Sequence, residues 1–152
     1  MKAEKILAIK GVALFTIAPE KSLAAAVETM AAEDIGSLVC VEQGRVVGML
    51  TFREVLRAIH AGIDPGKLTV GEVMQRDPRI GHPDMDIDAL RRLMVEEHIR
   101  YLPILDGQAL IGVVSFHDVA RAVLEEQGFE NRMLKAYIRE WPASETSSES
   151  QP

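Results

Sequence analysis

The sequence predicts a mixed α/β protein in which one β-α-β-β-α unit occurs twice. Placing Gly112 on Gly48 gives an offset of 112 − 48 = 64 residues, at which Ser115 falls on Thr51. Strand-like and helix-like hydrophobic patterns alternate in the same order in both halves. Each half also has a glycine-containing turn between two apolar runs, which is typical of a hairpin. Because a unit of this size buries little surface alone, we expect the two to pack together.

Turn and capping residues divide the first half into elements. Gly11 ends a helix, Pro19 ends an apolar, β-branched strand, and Gln43-Gly44 turns the chain between two strands. Ser22 and Thr51 are expected to cap the two helices that follow them. The predicted elements are helix 2–10, strand 12–17, helix 23–33, strand 37–41, strand 46–50 and helix 52–61.

The second half repeats this order after a linker over residues 62–75, whose residues 70–74 are expected to form a helical turn. Asp106-Gly107 is the predicted hairpin turn. A last amphipathic helix over 128–141 presents Phe129, Met133, Tyr137 and Trp141 four residues apart, and residues 142–152 are expected to be disordered. Repeat 1 spans residues 11–61 and follows an N-terminal helix within residues 1–10. Repeat 2 spans residues 76–127, and its predicted elements are a strand near 79–80, helix 86–97, strand 101–105, strand 110–114 and helix 116–126.

Composition excludes several classes of function. A formal net charge of −6 argues against broad nucleic-acid binding. No apolar run approaches the roughly 20 residues that span a membrane, and no signal-peptide core follows Met1, so we expect a cytoplasmic protein without a membrane partner. The single Cys40 excludes an internal disulfide, and its apolar surroundings indicate a buried small side chain.

No catalytic constellation stands out. The spacing of His82, Asp84 and Asp86 matches no metal motif, and Glu96-Glu97-His98 lacks the second histidine of a zinc protease. Nucleophile-elbow and Walker patterns are absent from the sequence. We therefore predict neither an enzyme nor a metal site.

The repeated segment resembles the CBS domain family. The residues that carry the resemblance are Gly48 to Glu54, Gly112 to Asp118, and Ile99-Arg100-Tyr101-Leu102-Pro103-Ile104, and it covers roughly residues 10–127. A tandem pair of this kind is called a Bateman module. The resemblance implies a pseudo-two-fold disc with a cleft on either side, in which adenosine compounds bind. It also implies a homodimer without catalytic activity.

Ser115, His117 and Asp118 stand where a strand ends and a helix begins. Backbone N–H groups and the helix dipole at this point suit a phosphate, which His117 could also reach. The Asp118 carboxylate can accept hydrogen bonds from a ribose diol. The alternative is a plain helix start, with Ser115 as the N-cap and Asp118 as its capping-box partner.

The first unit departs from the family pattern at one position. Thr51 and Arg53 match, but Glu54 replaces the usual aspartate. Glutamate is longer by one methylene and is the better capping-box residue. The cleft served by Thr51 and Glu54 is therefore expected to be weak, altered or empty.

The resemblance implies that each cleft combines an acid from one repeat with backbone from the other. Arg100 is then a phosphate ligand or a solvated or ion-paired arginine, and Tyr101 stacks on an adenine or covers the sheet edge. Gly36 leaves room for a base to approach the backbone. One cleft would combine Ser115 and Asp118 with Lys10-Gly11-Val12 and Gly36-Ser37-Leu38; the other would combine Thr51 and Glu54 with Arg76-Asp77-Pro78 and Arg100-Tyr101-Leu102.

These observations favour a regulatory module that binds an adenine nucleotide (AMP, ADP or ATP) and transmits a conformational change to an unidentified target protein. S-adenosylmethionine and NAD(H) are alternative ligands, and no catalytic cofactor is expected. The alternative function is a structural or protein-interaction module that holds no nucleotide.

Overall fold

The computed structural model describes residues 1–11 and 13–139, which form six α-helices and six strands. The helices are α1 (Ala3–Lys10), α2 (Leu23–Glu33), α3 (Phe52–His60), α4 (Val70–Val73), α5 (Ile87–Glu96) and α6 (Phe116–Arg139). The strands are β1 (Thr16–Ile17), β2 (Ser37–Glu42), β3 (Arg45–Thr51), β4 (Gln75–Arg76), β5 (Tyr101–Asp106) and β6 (Ala109–Ser115), and a 3-10 turn covers Pro65–Lys67.

The two units have matching hairpins. A four-stranded sheet has the order β1-β2-β3-β4, and a two-stranded sheet pairs β5 with β6. The antiparallel pairs begin at Ser37–Thr51 and Tyr101–Ser115, which differ by the 64-residue offset. Each ladder also shifts register at the equivalent place, after Cys40 in one and after Ile104 in the other. The repeat predicted from the sequence is thus reproduced down to the irregularity in each hairpin.

Local signals placed most elements correctly. Ser22 caps α2, since its hydroxyl oxygen accepts a hydrogen bond from the Ala25 N–H at 3.0 Å. Gln43 and Gly44 have positive φ angles of 51° and 76°, the left-handed backbone that a two-residue hairpin turn requires. In the second hairpin, however, Asp106 is the last strand residue and Gly107-Gln108 makes the turn, so the predicted turn was one residue early.

Two predicted strands differ from the structure. The expected strand near residues 79–80 is wrong, because this segment makes only an isolated parallel bridge, Gly81 to Ile104, at the place equivalent to the Ile17–Cys40 pair of β1 and β2. A separate short strand, Gln75–Arg76, pairs with the free edge of β3. The strand expected over 12–17 is shorter, covering Thr16–Ile17, and Val12 lies outside the described residues.

The predicted break near Gly128 is also wrong. α6 runs continuously from Phe116 to Arg139 over 24 residues. A glycine inside a helix costs only about 1 kcal/mol relative to alanine, which good helix formers on either side offset. The apolar stripe that begins at Phe129 therefore continues α6, while Trp141 and the predicted tail lie outside the described residues.

The hydrophobic core of each unit includes a helix that precedes the other unit in the chain. Helix α1, which precedes the first unit, packs in the second core, and α4, which precedes the second unit, packs in the first core. The core of the second unit, around Leu102, includes Ala3 and Ile6 of α1. The core of the first unit, around Leu38, includes Val70 of α4. Ile6 and Val70 differ by the repeat offset, 70 − 6 = 64. This reciprocal packing ties the two units into the predicted pair with pseudo-two-fold symmetry.

None of the helices in the described ranges combines the length and apolarity needed to cross a bilayer.

Candidate functional site

A cleft lies between the two units where β3 ends and α3 begins. Its volume is about 360 Å³, within the usual range for small-molecule sites. It takes residues from both halves of the chain, as the repeat predicts. The lining residues are Met49, Thr51, Phe52, Arg53, Glu54, Leu56, Gln75, Pro78, Arg79, Glu97, His98, Ile99, Arg100 and Tyr101. We call this space the first cleft.

A buried carboxylate lines the first cleft where α3 begins. Glu54 is 7% exposed and is the one charged side chain that is buried among the described residues. Its Oε1 accepts hydrogen bonds from the Thr51 N–H and the Thr51 hydroxyl, both at 2.7 Å. The Arg53 N–H in turn donates to Thr51 Oγ1 at 3.2 Å. The capping box considered from the sequence is therefore formed, and it holds Glu54 in a fixed position on the cleft wall.

Three arginines line the same cleft. Arg53 crosses from the first unit to donate to the His98 carbonyl oxygen at 3.4 Å. Arg79 forms an ion pair with Glu97, with 2.9 Å between Nη2 and Oε2. Arg100 is exposed and has no ion-pair partner within residues 1–11 and 13–139. The lining thus contains three arginines against two glutamates, which favours an anionic ligand.

The two units are in direct contact at Tyr101 and Gly36. The Tyr101 hydroxyl packs directly on Gly36, at the place where any larger residue would put its Cβ. The Phe52 ring lies 3.3 Å from the same position. Gly36 is therefore needed for this approach, and Tyr101 both lines the first cleft and covers the opposite unit.

The second unit has an equivalent capping box at the start of α6. The Ser115 N–H donates to Asp118 Oδ2 at 2.8 Å, and the Asp118 N–H donates to Ser115 Oγ at 3.0 Å. Lys10 adds an ion pair to the same Oδ2 at 2.8 Å and a hydrogen bond to the Val113 carbonyl oxygen, also at 2.8 Å. Burial raises the pKa of Asp118, but the hydrogen bonds from Lys10 and Ser115 and the charge of Lys10 outweigh it. The pKa therefore lies below its ordinary value, and the carboxylate is ionised and paired.

The structure brings Lys10 and Asp118 together, as the resemblance implied. They line a concavity of about 220 Å³ together with Arg121 and Glu125. His117 is exposed on the first turn of α6. Leu38 is wholly buried in the first core, so it can offer a ligand only its backbone.

Most of the residues that the sequence proposed for the first cleft line it: Thr51, Arg53, Glu54, Pro78, Arg100 and Tyr101. Arg76 and Asp77 are not among the lining residues, and Leu102 is wholly buried in the core of the second unit. Sequence reasoning missed Arg79 and His98, which lay in a predicted strand and at a helix end. His98 has a φ of 55°, and its repeat equivalent Asp34 has a φ of 54°. Because Asp34 and His98 are 64 residues apart, the repeat offset could have predicted that both units have the same turn at this place.

Cys40 is a buried free thiol. Burial, followed by the negative charge of Glu54, raises the pKa of Cys40 to about 12. No group of three or more histidine, cysteine or acidic side chains in the described part of the chain is arranged to hold a metal ion.

Comparison with known proteins settles the family. The CBS domain pattern matches residues 9–61 and 70–125. The chain belongs to the CBS domain family. The CBS domain-containing protein YhcV of Bacillus subtilis is 37% identical over 106 residues, which cover 69% of this chain and 75% of the relative. Hypoxic response protein 1 of Mycobacterium tuberculosis is 32% identical over 111 residues, covering 72% and 78%.

Solved CBS structures have the same fold. The CBS domain protein ATU1752 from Agrobacterium tumefaciens aligns with a TM-score of 0.76 at 26% identity, covering 80% of this chain and 98% of that one. Hypoxic Response Protein I with two coordinated zinc ions has a TM-score of 0.67 at 29% identity, covering 80% and 98%.

Two more distant CBS structures carry adenosine compounds. The CBS pair of MJ0100, in complex with 5′-methylthioadenosine and S-adenosylmethionine, has a TM-score of 0.74 at 23% identity, with coverage of 83% and 98%. CBSX2 in complex with AMP has a TM-score of 0.65 at 21% identity, with coverage of 74% and 89%. At these identities the likeness extends to the fold alone.

Proposed function

We propose that this CBS pair is a regulatory module whose first cleft binds an adenine nucleotide. The observation that carries the proposal is the cleft of about 360 Å³ between the repeats, lined by three arginines beside the start of α3. Adenosine compounds in two proteins of the same fold support the ligand class. The absence of a catalytic constellation from the sequence supports a regulatory role.

The charges in the cleft suggest how the ligand lies. Phosphate groups suit Arg100 and Arg53, because arginine donates charge-assisted hydrogen bonds in a fork, and the positive end of the α3 dipole adds to this attraction. The Glu54 carboxylate repels phosphate, so the sugar is the part of the ligand placed beside it. Tyr101 then offers a flat surface for the base at the border between the units.

The same charges rank the candidate ligands. AMP, ADP and ATP are anions, whereas S-adenosylmethionine carries a positive sulfonium and no phosphate. Three arginines against two glutamates favour the nucleotides. NAD(H) contains a pyrophosphate, so its charge resembles that of the adenine nucleotides more than the charge of S-adenosylmethionine does.

The concavity beside Lys10 and Asp118, which we call the second cleft, is proposed to bind more weakly than the first cleft. This reverses the ranking expected from the sequence. At the repeat offset, Arg100 corresponds to Gly36 and Arg79 to Phe15, so two of the cations are lost. The carboxylate of Asp118 already holds the lysine of α1 at 2.8 Å. A ribose in this position would first have to displace that lysine.

Signalling is proposed to act through the contact that joins the units across the first cleft. Arg53 of the first unit donates to the His98 carbonyl of the second at 3.4 Å, a long and therefore weak hydrogen bond. A bound phosphate would compete for the same guanidinium. Nucleotide binding would then change the contact between the units, to the extent that it favours one arrangement over the other. The partner that responds is a target protein, expected in the cytoplasm.

Titration calorimetry of the full chain with AMP, ADP, ATP, S-adenosylmethionine and NADH tests the proposal. One strong site for an adenine nucleotide is expected. Arg100→Gln should weaken it at least about tenfold, the loss of roughly 1.4 kcal/mol expected for one charge-assisted contact. Arg92→Gln, an exposed arginine of α5 outside the cleft lining, is the matched control and should bind as the wild type does.

Two outcomes would contradict the proposal. Tighter binding of S-adenosylmethionine than of ATP, unaffected by Arg100→Gln, would refute the placement of phosphate. No binding of any adenosine ligand would favour the interaction-module alternative, in which both capping boxes have a purely structural role.

A further inference from the structure

Two of the three arginines that line the first cleft are held by oxygen atoms of the protein itself. The Glu97 carboxylate pairs with Arg79, with 2.9 Å between Oε2 and Nη2. The next residue, His98, accepts a hydrogen bond from Arg53 through its carbonyl oxygen at 3.4 Å. The Arg100 guanidinium has neither kind of partner in the part of the chain that the structure describes. An entering anion therefore reaches one guanidinium without breaking a contact, and the other two only by breaking one.

The two existing contacts differ in strength. The contact from Arg53 is long and its acceptor is a neutral carbonyl, so a phosphate displaces it easily. The contact from Arg79 is short and its acceptor is a carboxylate, which makes it the stronger of the two. The side chains of Arg79 and Glu97 are 59% and 41% exposed, so both are open to a ligand in the cleft. A phosphate that takes Arg79 leaves the Glu97 carboxylate unpaired beside it.

The end of α5 gives no reason of its own for an acid at Glu97. The residue is the C-cap of α5, where the negative end of the helix dipole disfavours a carboxylate. Its backbone N–H donates to the Leu93 carbonyl oxygen at 3.0 Å, a contact that does not involve the side chain. At the repeat offset Glu33 corresponds to Glu97, but Phe15 corresponds to Arg79, so the equivalent ion pair cannot form in the first unit. The pair is thus a particular feature of the first cleft.

We propose that Glu97 is the specificity-determining residue that makes the first cleft prefer a nucleoside monophosphate to a triphosphate. This inference rests on the proposed function. A single phosphate group finds Arg100 free and displaces only the weak contact of Arg53. Further phosphate groups must draw Arg79 away from Glu97, and the released carboxylate repels them more strongly as their charge grows. What the additional phosphates gain from the arginine is therefore offset by this repulsion.

Titration calorimetry of the full chain with AMP and with ATP, in magnesium-free buffer, tests the inference. The wild type should bind AMP at least as tightly as ATP. Glu97→Gln removes the carboxylate and frees Arg79, so the affinity for ATP should rise about tenfold, as expected for one charge-assisted contact, while that for AMP should change less than about threefold. Glu96→Gln is the matched control, because it makes the same change in charge one residue earlier, outside the cleft lining.

A double variant, Arg79→Gln with Glu97→Gln, separates release of the arginine from the simple loss of a negative charge. No guanidinium is released in this chain, so the gain in ATP affinity should disappear. Because both side chains are exposed, the substitutions should leave the fold intact, and thermal unfolding of each variant checks this.

The possible outcomes distinguish the inference from the proposed function. A wild type that binds ATP more tightly than AMP by about tenfold or more would overturn the inference and leave the proposed function standing. An equal ATP gain in Glu97→Gln and Glu96→Gln, or a gain kept in the double variant, would also overturn it, since net charge alone would then explain the effect. A chain that binds neither nucleotide would contradict the proposed function and the inference together.

Discussion

The close packing of α1 and α4 on the two hairpins can be tested at a pair of equivalent glycines. Gly48 of β3 lies under the α4–β4 segment, and a Cβ there would be 2.5 Å from Met74 Sδ and 2.8 Å from the Gln75 carbonyl oxygen. Gly112 of β6 lies under α1, and a Cβ there would be 2.8 Å from Leu7 Cδ2. One obstacle at Gly48 is backbone held in a strand pair, whereas the obstacle at Gly112 is the end of a flexible side chain.

This difference predicts unequal costs for the same substitution. Overpacking costs about 1–3 kcal/mol, and Gly48→Ala should be at the upper end because β4 must move. Gly112→Ala should cost about 1 kcal/mol, since the Leu7 side chain can change rotamer. For a chain of this size, about 3 kcal/mol lowers Tm by roughly 6–12 °C and about 1 kcal/mol by roughly 2–4 °C.

Thermal and urea unfolding of the two variants measures these costs. Gly128→Ala is a control for the glycine-to-alanine change itself, because its nearest neighbour, Arg132 Nη1, is at an ordinary 3.6 Å. Replacing a mid-helix glycine should raise stability by up to about 1 kcal/mol. If Gly112→Ala proved as costly as Gly48→Ala, or if both were neutral, the argument from close approach would be wrong.

Three further predictions concern individual groups. Lys10→Met should cost about 1 kcal/mol at neutral pH, because the half-exposed ion pair to Asp118 is lost. Because the pKa of Asp118 is lower in the folded state than in the unfolded state, this stabilisation is fully present above the unfolded-state pKa and is lost as the pH falls through the folded-state pKa. Urea unfolding at two pH values, with Lys5→Met as the control, measures this pH dependence. Cys40 should resist alkylation in the native protein at pH 8, because a pKa of about 12 leaves almost no thiolate. In urea it should react, and mass spectrometry measures the labelling in both states. Rapid labelling of the native protein would contradict this prediction. Ser22→Ala should cost about 1 kcal/mol in urea unfolding by removing the α2 cap, and a neutral result would mean that the cap is dispensable.

Most of the secondary structure could be predicted because its determinants are local. The cap at Ser22 and the turn at Gln43-Gly44 act within a few residues of the chain, and the structure contains both. The repeat offset correctly aligned the two hairpins and both capping boxes. The resemblance to CBS domains, carried by short motifs in register, was confirmed by the family match over residues 9–61 and 70–125.

Long-range contacts decided what local signals could not. The segment at residues 79–80 had the composition of a strand, but beside β5 it is reduced to a single bridge, Gly81 to Ile104, where the first unit forms the strand β1. Gly128 looked like a helix end by its type alone, yet α6 continues through it. In both places the competing local preference is worth only about 1 kcal/mol, which packing or neighbouring helix formers outweigh.

The sequence by itself determined the doubled unit, its caps and turns, and the acid at the start of each repeat-ending helix. Only the tertiary structure decided that α1 packs on the second unit, that Lys10 forms a direct ion pair with the Asp118 carboxylate it was expected to lie near, and that Arg79 joins Arg100 in the first cleft. Caps and turns depend on neighbours along the chain, so a pattern of residue types reveals them. Ion pairs and clefts join residues far apart in the chain, and their partners are set by how the two units pack.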